Sequence, residues 1–286
     1  MSTATITAAM VKELREATQA GMMECKRALE ETSGDMAAAV TLLREKGIAK
    51  AGKLGARETT EGRVSIVESD EAIAMVLVGC NTDFVANNDE FGAFVDKIAQ
   101  HVLAHDHASV EELLAHEWAD GGTVEDARIE ASSSTGENVV IAKIARFAKG
   151  TDGVIGQYLH GTGIGVLVDV TGPQSDEVAT YATDVAMHAA AAAPQYLTRD
   201  EVPADAVAAE KDIYIKQLEG ENKPEAIREK IAEGKLNKWM GEIALVEQPW
   251  IFAKDRVGKD VTITEYAKMT GDDVAVRRFE RFAVKG

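Results

Sequence analysis

Histidines are the residues of this sequence whose spacing most directly suggests chemistry. His101 and His105 lie four residues apart, so a helix would place both rings on one face, where they could share a metal ion. No cysteine lies nearby, and the segment His116-Glu-Trp lacks the second histidine of a zinc protease motif. A solvated helix end explains His101, His105, His107 and His116 better than a metal centre, so we expect no metal site.

A second candidate is the glycine-rich segment GTGIG at residues 161–165, which superficially matches a dinucleotide-binding loop. That fingerprint requires a helix after the glycines, because the helix N-terminus binds the pyrophosphate. The segment VLVDV follows instead and is strand-like, so we predict a hairpin turn. The P-loop sequence, GxxxxGK followed by Ser or Thr, does not occur, and we expect no nucleotide or other cofactor.

The remaining reactive side chains do not form a recognisable catalytic set. His160 and His188 stand alone in an apolar strand and an apolar helix, where a hydrogen bond is the usual role and a partner contact is the alternative. Cys25 and Cys80 are far apart, so buried reduced thiols are expected. No Ser/His/Asp or Cys/His arrangement stands out. The sequence therefore favours a protein that acts by contact over an enzyme.

The strongest candidate for such a contact is the loop CNTDFVANND at residues 80–89. A buried strand over Ile73–Val78 leads into it, and an amphipathic helix begins near Glu90. Asp83, Phe84 and Val85 place two apolar side chains on a segment too short to bury them. Either a partner surface receives this apolar segment, or Phe84 folds back onto its own domain.

The elements before this loop are helical. Residues 5–47 read as three short helices, with Thr7 and Asp35 as N-caps and Gly47 as the last C-cap. Residues 50–57, KAGKLGAR, read as a linker. Met22 and Met23 are adjacent and cannot both face inward on a helix, so we expect one of them to be exposed.

The pattern changes to that of strands from residue 62 onward, where a hairpin, the loop and a helix follow one another. The same order returns about 91 residues later, with Met75–Val78 matching Val166–Asp169 and Phe91 matching Ala182. We therefore predict an α+β fold with two related subdomains built on antiparallel sheets, arising from an internal duplication.

A different composition follows the second copy. Residues 206–219 and 225–245 are rich in Glu and Lys, and Gly220 and Pro224 lie between them. We predict an antiparallel helical hairpin inserted into the second subdomain, which resumes near Pro249 and ends in a strand. Its seam is expected at Ile215, Leu218, Ile227, Ile231, Leu236 and Met240.

Charge and hydropathy exclude several classes of partner. The net charge of −17 argues against a nucleic-acid backbone or an anionic membrane as the main partner. No transmembrane segment, secretory signal or transit peptide is recognisable, so we expect a cytoplasmic protein.

Four segments together carry a resemblance that covers nearly the whole chain. They are VKELREATQAGMMECKRAL at Val11–Leu29, NTDFVA at Asn81–Ala86, HGTGIGVLV at His160–Val168 and EGKLNKWMGEIALVEQPW at Glu233–Trp250. With these segments the chain resembles the family of bacterial translation elongation factor Ts, the guanine nucleotide exchange factor of elongation factor Tu.

The resemblance implies a domain organisation that agrees with the order of the predicted elements. The expected parts are a ubiquitin-associated-like helical bundle with its linker (1–55), a core N-subdomain (56–150), the first part of a core C-subdomain (151–205), a coiled-coil helical hairpin of the dimerisation type (206–247) and the completion of the C-subdomain (248–286).

The resemblance also implies how the protein acts. The loop Thr82, Asp83, Phe84 and Val85 would enter elongation factor Tu, with Phe84 wedged beside its magnesium site, so that GDP leaves and GTP rebinds. Further partner contacts are expected at Leu14, Met22, Met23 and His160. The helical hairpin would support a homodimer or a 2:2 complex.

Two other functions remain as alternatives to this one. The first is an enzyme that uses the glycine turn and His160, and the second is a generic ubiquitin-type adaptor formed by the bundle.

Overall fold

The computed structural model describes residues 6–18, 20–218 and 224–285. Helices and two three-stranded sheets make an α+β fold, which confirms the predicted class. The chain divides into two compact units. The first comprises Met1–Arg146, Gly161–Gly163 and Phe282–Gly286, and the second comprises Phe147–His160 and Ile164–Arg281.

Three helices open the first unit: α1 (Ala8–Thr18), α2 (Met22–Glu31) and α3 (Met36–Leu54). Both predicted N-caps are confirmed. The Met10 N–H donates to Thr7 Oγ1 at 3.3 Å, and the Ala38 N–H donates to Asp35 Oδ1 at 3.0 Å. The fully buried side chains between the helices are Leu14, Cys25, Ala28, Leu29 and Ala39.

The third helix is longer than the sequence predicts. Gly47 does not end it, and the predicted linker at residues 50–57 is helical in its first five residues, because α3 continues to Leu54. Gly47 is buried beside Ile129 and Ser133 of α7 (Val124–Thr135), and Lys50 Nζ donates to the Ser133 carbonyl at 2.6 Å. Tertiary packing on α7 therefore overrides the low helix propensity of glycine.

The first sheet has the order β1–β2–β3, formed by β1 (Glu61–Glu68), β2 (Ala72–Cys80) and β3 (Val140–Ala148). Strands β1 and β2 form an antiparallel hairpin that pairs Glu61 with Cys80. Every position of β2 is buried, as its apolar sequence predicts. The helices of this region are α4 (Asp83–Ala86), α5 (Asp89–Ala104), α6 (Val110–Ala115) and α7. Helix α5 packs on the hairpin through buried Phe91, Val95, Ile98 and Val102, whereas Phe94 is only partly buried.

The second sheet has the order β4–β5–β6, formed by β4 (Gly153–His160), β5 (Ile164–Thr171) and β6 (Ala275–Ala283). Helix α8 (Asp176–Ala192) packs on this hairpin and buries Val178, Ala182, Val185 and Ala189. A Cβ at Gly156 of β4 would lie 2.3 Å from the carbonyl of Ala182. Only glycine therefore allows α8 to approach the strand so closely.

The two hairpin-and-helix segments differ in one connection. Eight residues, 81–88, separate β2 from α5, whereas four residues, 172–175, separate β5 from α8. The difference equals the length of α4, which is four residues long. The matching order of elements is consistent with an internal duplication, which stays a prediction.

Two longer helices, α9 (Ala204–Leu218) and α10 (Glu225–Ile243), pack against each other as the predicted hairpin requires. Leu218 of α9 and Ala232 of α10 are both buried. The prediction that Ile227 lies in the seam between the two helices is wrong, because its side chain is 49% exposed. Glu219 and Gly220, the predicted end of the first helix, lie outside the described residues. Short helices α11 (Ala253–Val257) and α12 (Ile263–Thr270) follow.

Candidate protein-interaction site

Helix α4 holds the exposed apolar segment that the sequence singles out. Thr82 is its N-cap, and its Oγ1 accepts a hydrogen bond from the Val85 N–H at 3.4 Å. Asp83 is exposed, and the side chain of Phe84 is 85% exposed. Val85 packs partly against the core. The alternative that Phe84 folds back onto its own domain is wrong. We call Asp83, Phe84 and Val85 the α4 tip.

A carboxylate from a distant part of the chain fixes the start of α4. Glu137 Oε2 accepts hydrogen bonds from the backbone N–H groups of Asn81 and Thr82 at 2.9 Å and 3.0 Å. Its Oε1 accepts one from the Thr82 hydroxyl at 2.6 Å. Sequence reasoning misses Glu137, because 55 residues separate it from Thr82 and no motif links them.

Asparagine side chains hold the rest of the loop. The amide of Asn81 accepts from the Asn138 N–H at 2.9 Å and donates to the Glu58 carbonyl at 2.6 Å. At the other end, Asn88 Oδ1 caps α5 by accepting from the N–H groups of Glu90 and Phe91 at 2.7 Å and 3.2 Å. The loop is therefore anchored on both sides of the α4 tip, which leaves Phe84 exposed on a fixed base.

Cys80 lies at the base of this loop and is not a nucleophile. Its thiol is buried and free, as predicted, and it donates to the Thr82 carbonyl at 3.3 Å. Burial, together with the nearby negative charge of Glu137, raises the pKa of Cys80 to about 12. The thiolate form that would attack an electrophile is therefore scarce at neutral pH.

A second exposed apolar surface lies on α2. Met22 is 60% exposed and Met23 is 56% exposed. The sequence predicts that one of the two is exposed, whereas both are. Leu14 is fully buried beneath the bundle surface. It therefore supports the position of α2, and its own contact with a partner stays a prediction.

The histidines separate into three different environments. His160 is exposed at the end of β4, and its Nδ1 lies 3.1 Å from the Tyr158 hydroxyl. His188 is buried and hydrogen-bonded to Gln248 at 2.9 Å, which agrees with the hydrogen-bonding role expected for it. His101, His105, His107 and His116 form one cluster in the first unit, which we call the histidine cluster. It is more than the solvated helix end expected from sequence, because His101 and His107 are half-buried.

The glycine-rich segment forms the predicted hairpin turn. His160 pairs with Ile164, and residues 161–163 connect β4 to β5. A strand follows the glycines, so this segment offers no helix N-terminus to a pyrophosphate.

Comparison with known proteins identifies the family. The family model described as elongation factor Ts matches residues 81–286. The elongation factor Ts of Methylococcus capsulatus is 45% identical over 281 residues, covering 98% of this chain and 92% of that protein. The chain belongs to the elongation factor Ts family. The elongation factors Ts of Trichlorobacter lovleyi and Lactiplantibacillus plantarum are 43% and 44% identical, with the same coverage.

The matched region begins at Asn81, directly after β2, and therefore includes the whole α4 tip. In residues 6–18, 20–218 and 224–285, none of the helices combines the length and apolar content needed to cross a bilayer.

Proposed function

We propose that the chain releases GDP from elongation factor Tu by inserting the α4 tip beside the magnesium and nucleotide site of that protein, after which GTP binds. Membership of the elongation factor Ts family makes the chain a translation elongation factor that acts as a nucleotide exchange factor for elongation factor Tu. The observation that supports the role of the tip is the exposure of Phe84 on a segment whose base is fixed by hydrogen bonds.

Fixing the base of the loop matters for such a mechanism. The tip can displace part of its partner only if its own base is rigid. The three hydrogen bonds that Glu137 accepts, one from Asn81 and two from Thr82, hold this base in place. Magnesium prefers near-ideal octahedral geometry, so a small displacement of its surroundings weakens its binding. The tip therefore needs only a short displacement of the partner to weaken nucleotide binding.

The energy of one phenylalanine is too small to account for the whole effect. A 10⁴-fold weakening of nucleotide binding requires about 5.5 kcal/mol of differential contact. Burial of one Phe side chain contributes roughly 1.5 to 3 kcal/mol. We therefore assign additional contacts to Met22 and Met23, to His160, and to Leu14 through the helix it supports. By linkage, bound GDP weakens the binding of the factor to the same degree.

The proposal includes the organisation predicted from the sequence. Residues 1–55 act as the bundle with its linker, 56–150 as the N-subdomain and 206–247 as the helical hairpin, while 151–205 and 248–286 together make the C-subdomain. The half-exposed Ile213 and Ile227 on α9 and α10 support a role of the hairpin in a homodimer or a 2:2 complex. The protein acts in the cytoplasm without binding nucleic acid or membrane, and it catalyses no covalent chemistry.

Release of a fluorescent GDP analogue from elongation factor Tu, followed by stopped flow, tests the proposal. The unmodified chain is expected to accelerate release, and Phe84→Ala is expected to lose about tenfold or more of that acceleration, as the loss of most of one buried Phe implies. Met269→Ala is a matched control, because Met269 is an apolar side chain on α12 that is 53% exposed. No acceleration by the unmodified chain would refute exchange. Equal rates for Phe84→Ala and the unmodified chain would refute the wedge alone.

A further inference from the structure

The histidine cluster brings four imidazoles from two segments of the chain together. His101 lies in the last turn of α5 and His105 directly follows this helix, while His116 directly follows α6. The ring centroids of His105 and His116 are 4.5 Å apart, and those of His101 and His105 are 4.8 Å apart. His107 stacks parallel to His101 at 5.6 Å.

The ligand atoms in this cluster already approach the spacing of a metal site. Nitrogen atoms of His101, His105 and His116 all lie within 4.8 Å of one another. His101 Nε2 and His116 Nδ1 are 3.0 Å apart. Two nitrogens bound to the same tetrahedral zinc ion are about 3.3 Å apart, given bonds of about 2.0–2.1 Å. His105 is exposed, so rotation of its side chain can close the remaining distance.

We propose that His101, His105 and His116 bind one divalent transition-metal ion of the zinc type, with His107 stacked on His101 beside the site. Neutral imidazoles are ligands that zinc, nickel and copper prefer, and a set without carboxylates does not suit magnesium or calcium. The site joins the end of α5 to the segment that follows α6, so bound metal would stabilise this part of the first unit.

Two further observations support the assignment. His107 Nε2 is buried and has no hydrogen-bond partner within the described part of the chain, which leaves a polar atom available at the cluster. The buried ring of Trp118 lies 5.4 Å from that of His101 and closes one side of the cluster.

The site is separate from the proposed exchange function. Helix α5 has 16 residues and is about 24 Å long, with the α4 tip before its first turn and His101 in its last turn. Metal binding to the free chain can therefore be measured without elongation factor Tu. Failure of exchange and failure of metal binding are distinguishable outcomes.

The test uses the full chain without an affinity tag, stripped of metal by a chelator and titrated with Co²⁺. We expect one equivalent to bind and to give the visible absorption of tetrahedral cobalt with nitrogen ligands, and Zn²⁺ to displace it. His105→Gln and His101→Gln are expected to weaken binding by at least about tenfold, since loss of even an indirect metal contact costs that much. His160→Gln is the matched control, because His160 is exposed and lies outside the cluster.

Stability gives a second readout. Zn²⁺ at 100 times its dissociation constant is expected to raise the unfolding midpoint by roughly 4 °C for the unmodified chain. The same addition should stabilise His105→Gln by about half as much or less, because its site binds the ion at least tenfold more weakly. His105 is exposed, so this variant is expected to fold even if His101→Gln does not. Absence of a cobalt spectrum, or equal metal affinity in the unmodified chain and both cluster variants, would overturn the proposal.

Discussion

The carboxylate of Glu137 accepts hydrogen bonds from both the backbone N–H and the hydroxyl of Thr82, at 3.0 Å and 2.6 Å. The hydroxyl of Thr82 in turn caps α4, so one acidic side chain determines where the exposed Phe84 stands. The position of the tip thus depends on a residue that contacts neither Phe84 nor, in our proposal, the partner.

Removal of this carboxylate should reduce exchange. A hydrogen bond to a charged group contributes roughly 1.5 to 3 kcal/mol when it is buried, and Glu137 is half-buried. We therefore expect Glu137→Ala to lower the rate of GDP release by about tenfold when the concentration of the exchange factor limits the rate. Stopped-flow release measures this change. Glu71→Ala, an exposed charge in the turn at the other end of β2, should match the unmodified chain. Full activity of Glu137→Ala would mean that the loop does not need this anchor.

Exposure predicts opposite consequences for two phenylalanines seven residues apart. Phe84 is 85% exposed, so Phe84→Ala should change the free energy of unfolding by less than about 0.5 kcal/mol. Phe91 is 2% exposed in the core, and Phe91→Ala should cost about 3–5 kcal/mol. Urea unfolding of the two variants measures this contrast. A large loss of stability in Phe84→Ala would indicate that its ring packs on the chain in solution.

The exposed methionines of α2 should contribute to affinity. Replacing Met22 and Met23 together by Gln is expected to raise the dissociation constant for elongation factor Tu with bound GDP by about tenfold, because the apolar burial in the complex is reduced. Isothermal titration calorimetry measures the constant. Ile48→Gln is the control, since Ile48 is 48% exposed on α3 of the same bundle. An equal effect of the two variants would argue against a specific contact at α2.

The buried His188 should make stability depend on pH. Burial lowers its pKa from the ordinary value of 6.5 in the folded chain, so the unfolded chain binds the proton more readily. The contribution of neutral His188 to the free energy of unfolding is therefore fully present above about pH 6.5. It decreases as the pH falls below that value, by at most about 1.4 kcal/mol per pH unit, until the pH reaches the pKa of the folded chain.

Urea unfolding between pH 7.5 and pH 5.5, followed by tryptophan fluorescence, checks this dependence. His188→Gln should show a smaller loss of stability over that range than the unmodified chain. The exposed His160→Gln should keep the full loss. Equal slopes in His188→Gln and the unmodified chain would contradict the assignment to His188.

The sequence predicts those features that depend on local pattern. The strand β2, the cap Asp35 and the inward stripe of α5 each follow from spacing within a few residues. The end of α3 could not be predicted in the same way, because Gly47 is helical only through its packing against Ile129 and Ser133 of α7.

The candidate site shows the same division. Phe84 is recognisable because an apolar side chain stands on a short polar loop, although its exposure needed the structure. Glu137 and the approach of His116 to His101 depend on residues that are distant in sequence. Neither relationship has a local signal, so only the folded chain brings these groups together.

The four-residue connection between β5 and α8 has a consequence for how this activity can be gained or lost. It joins a hairpin to its helix without any counterpart of α4, so the architecture itself does not need that short helix. On our proposal, shortening the first connection to the same four residues would remove the wedge and leave the hairpin and α5 in place, with the loss of the buried Ala86 and the partly buried Val85 from the core.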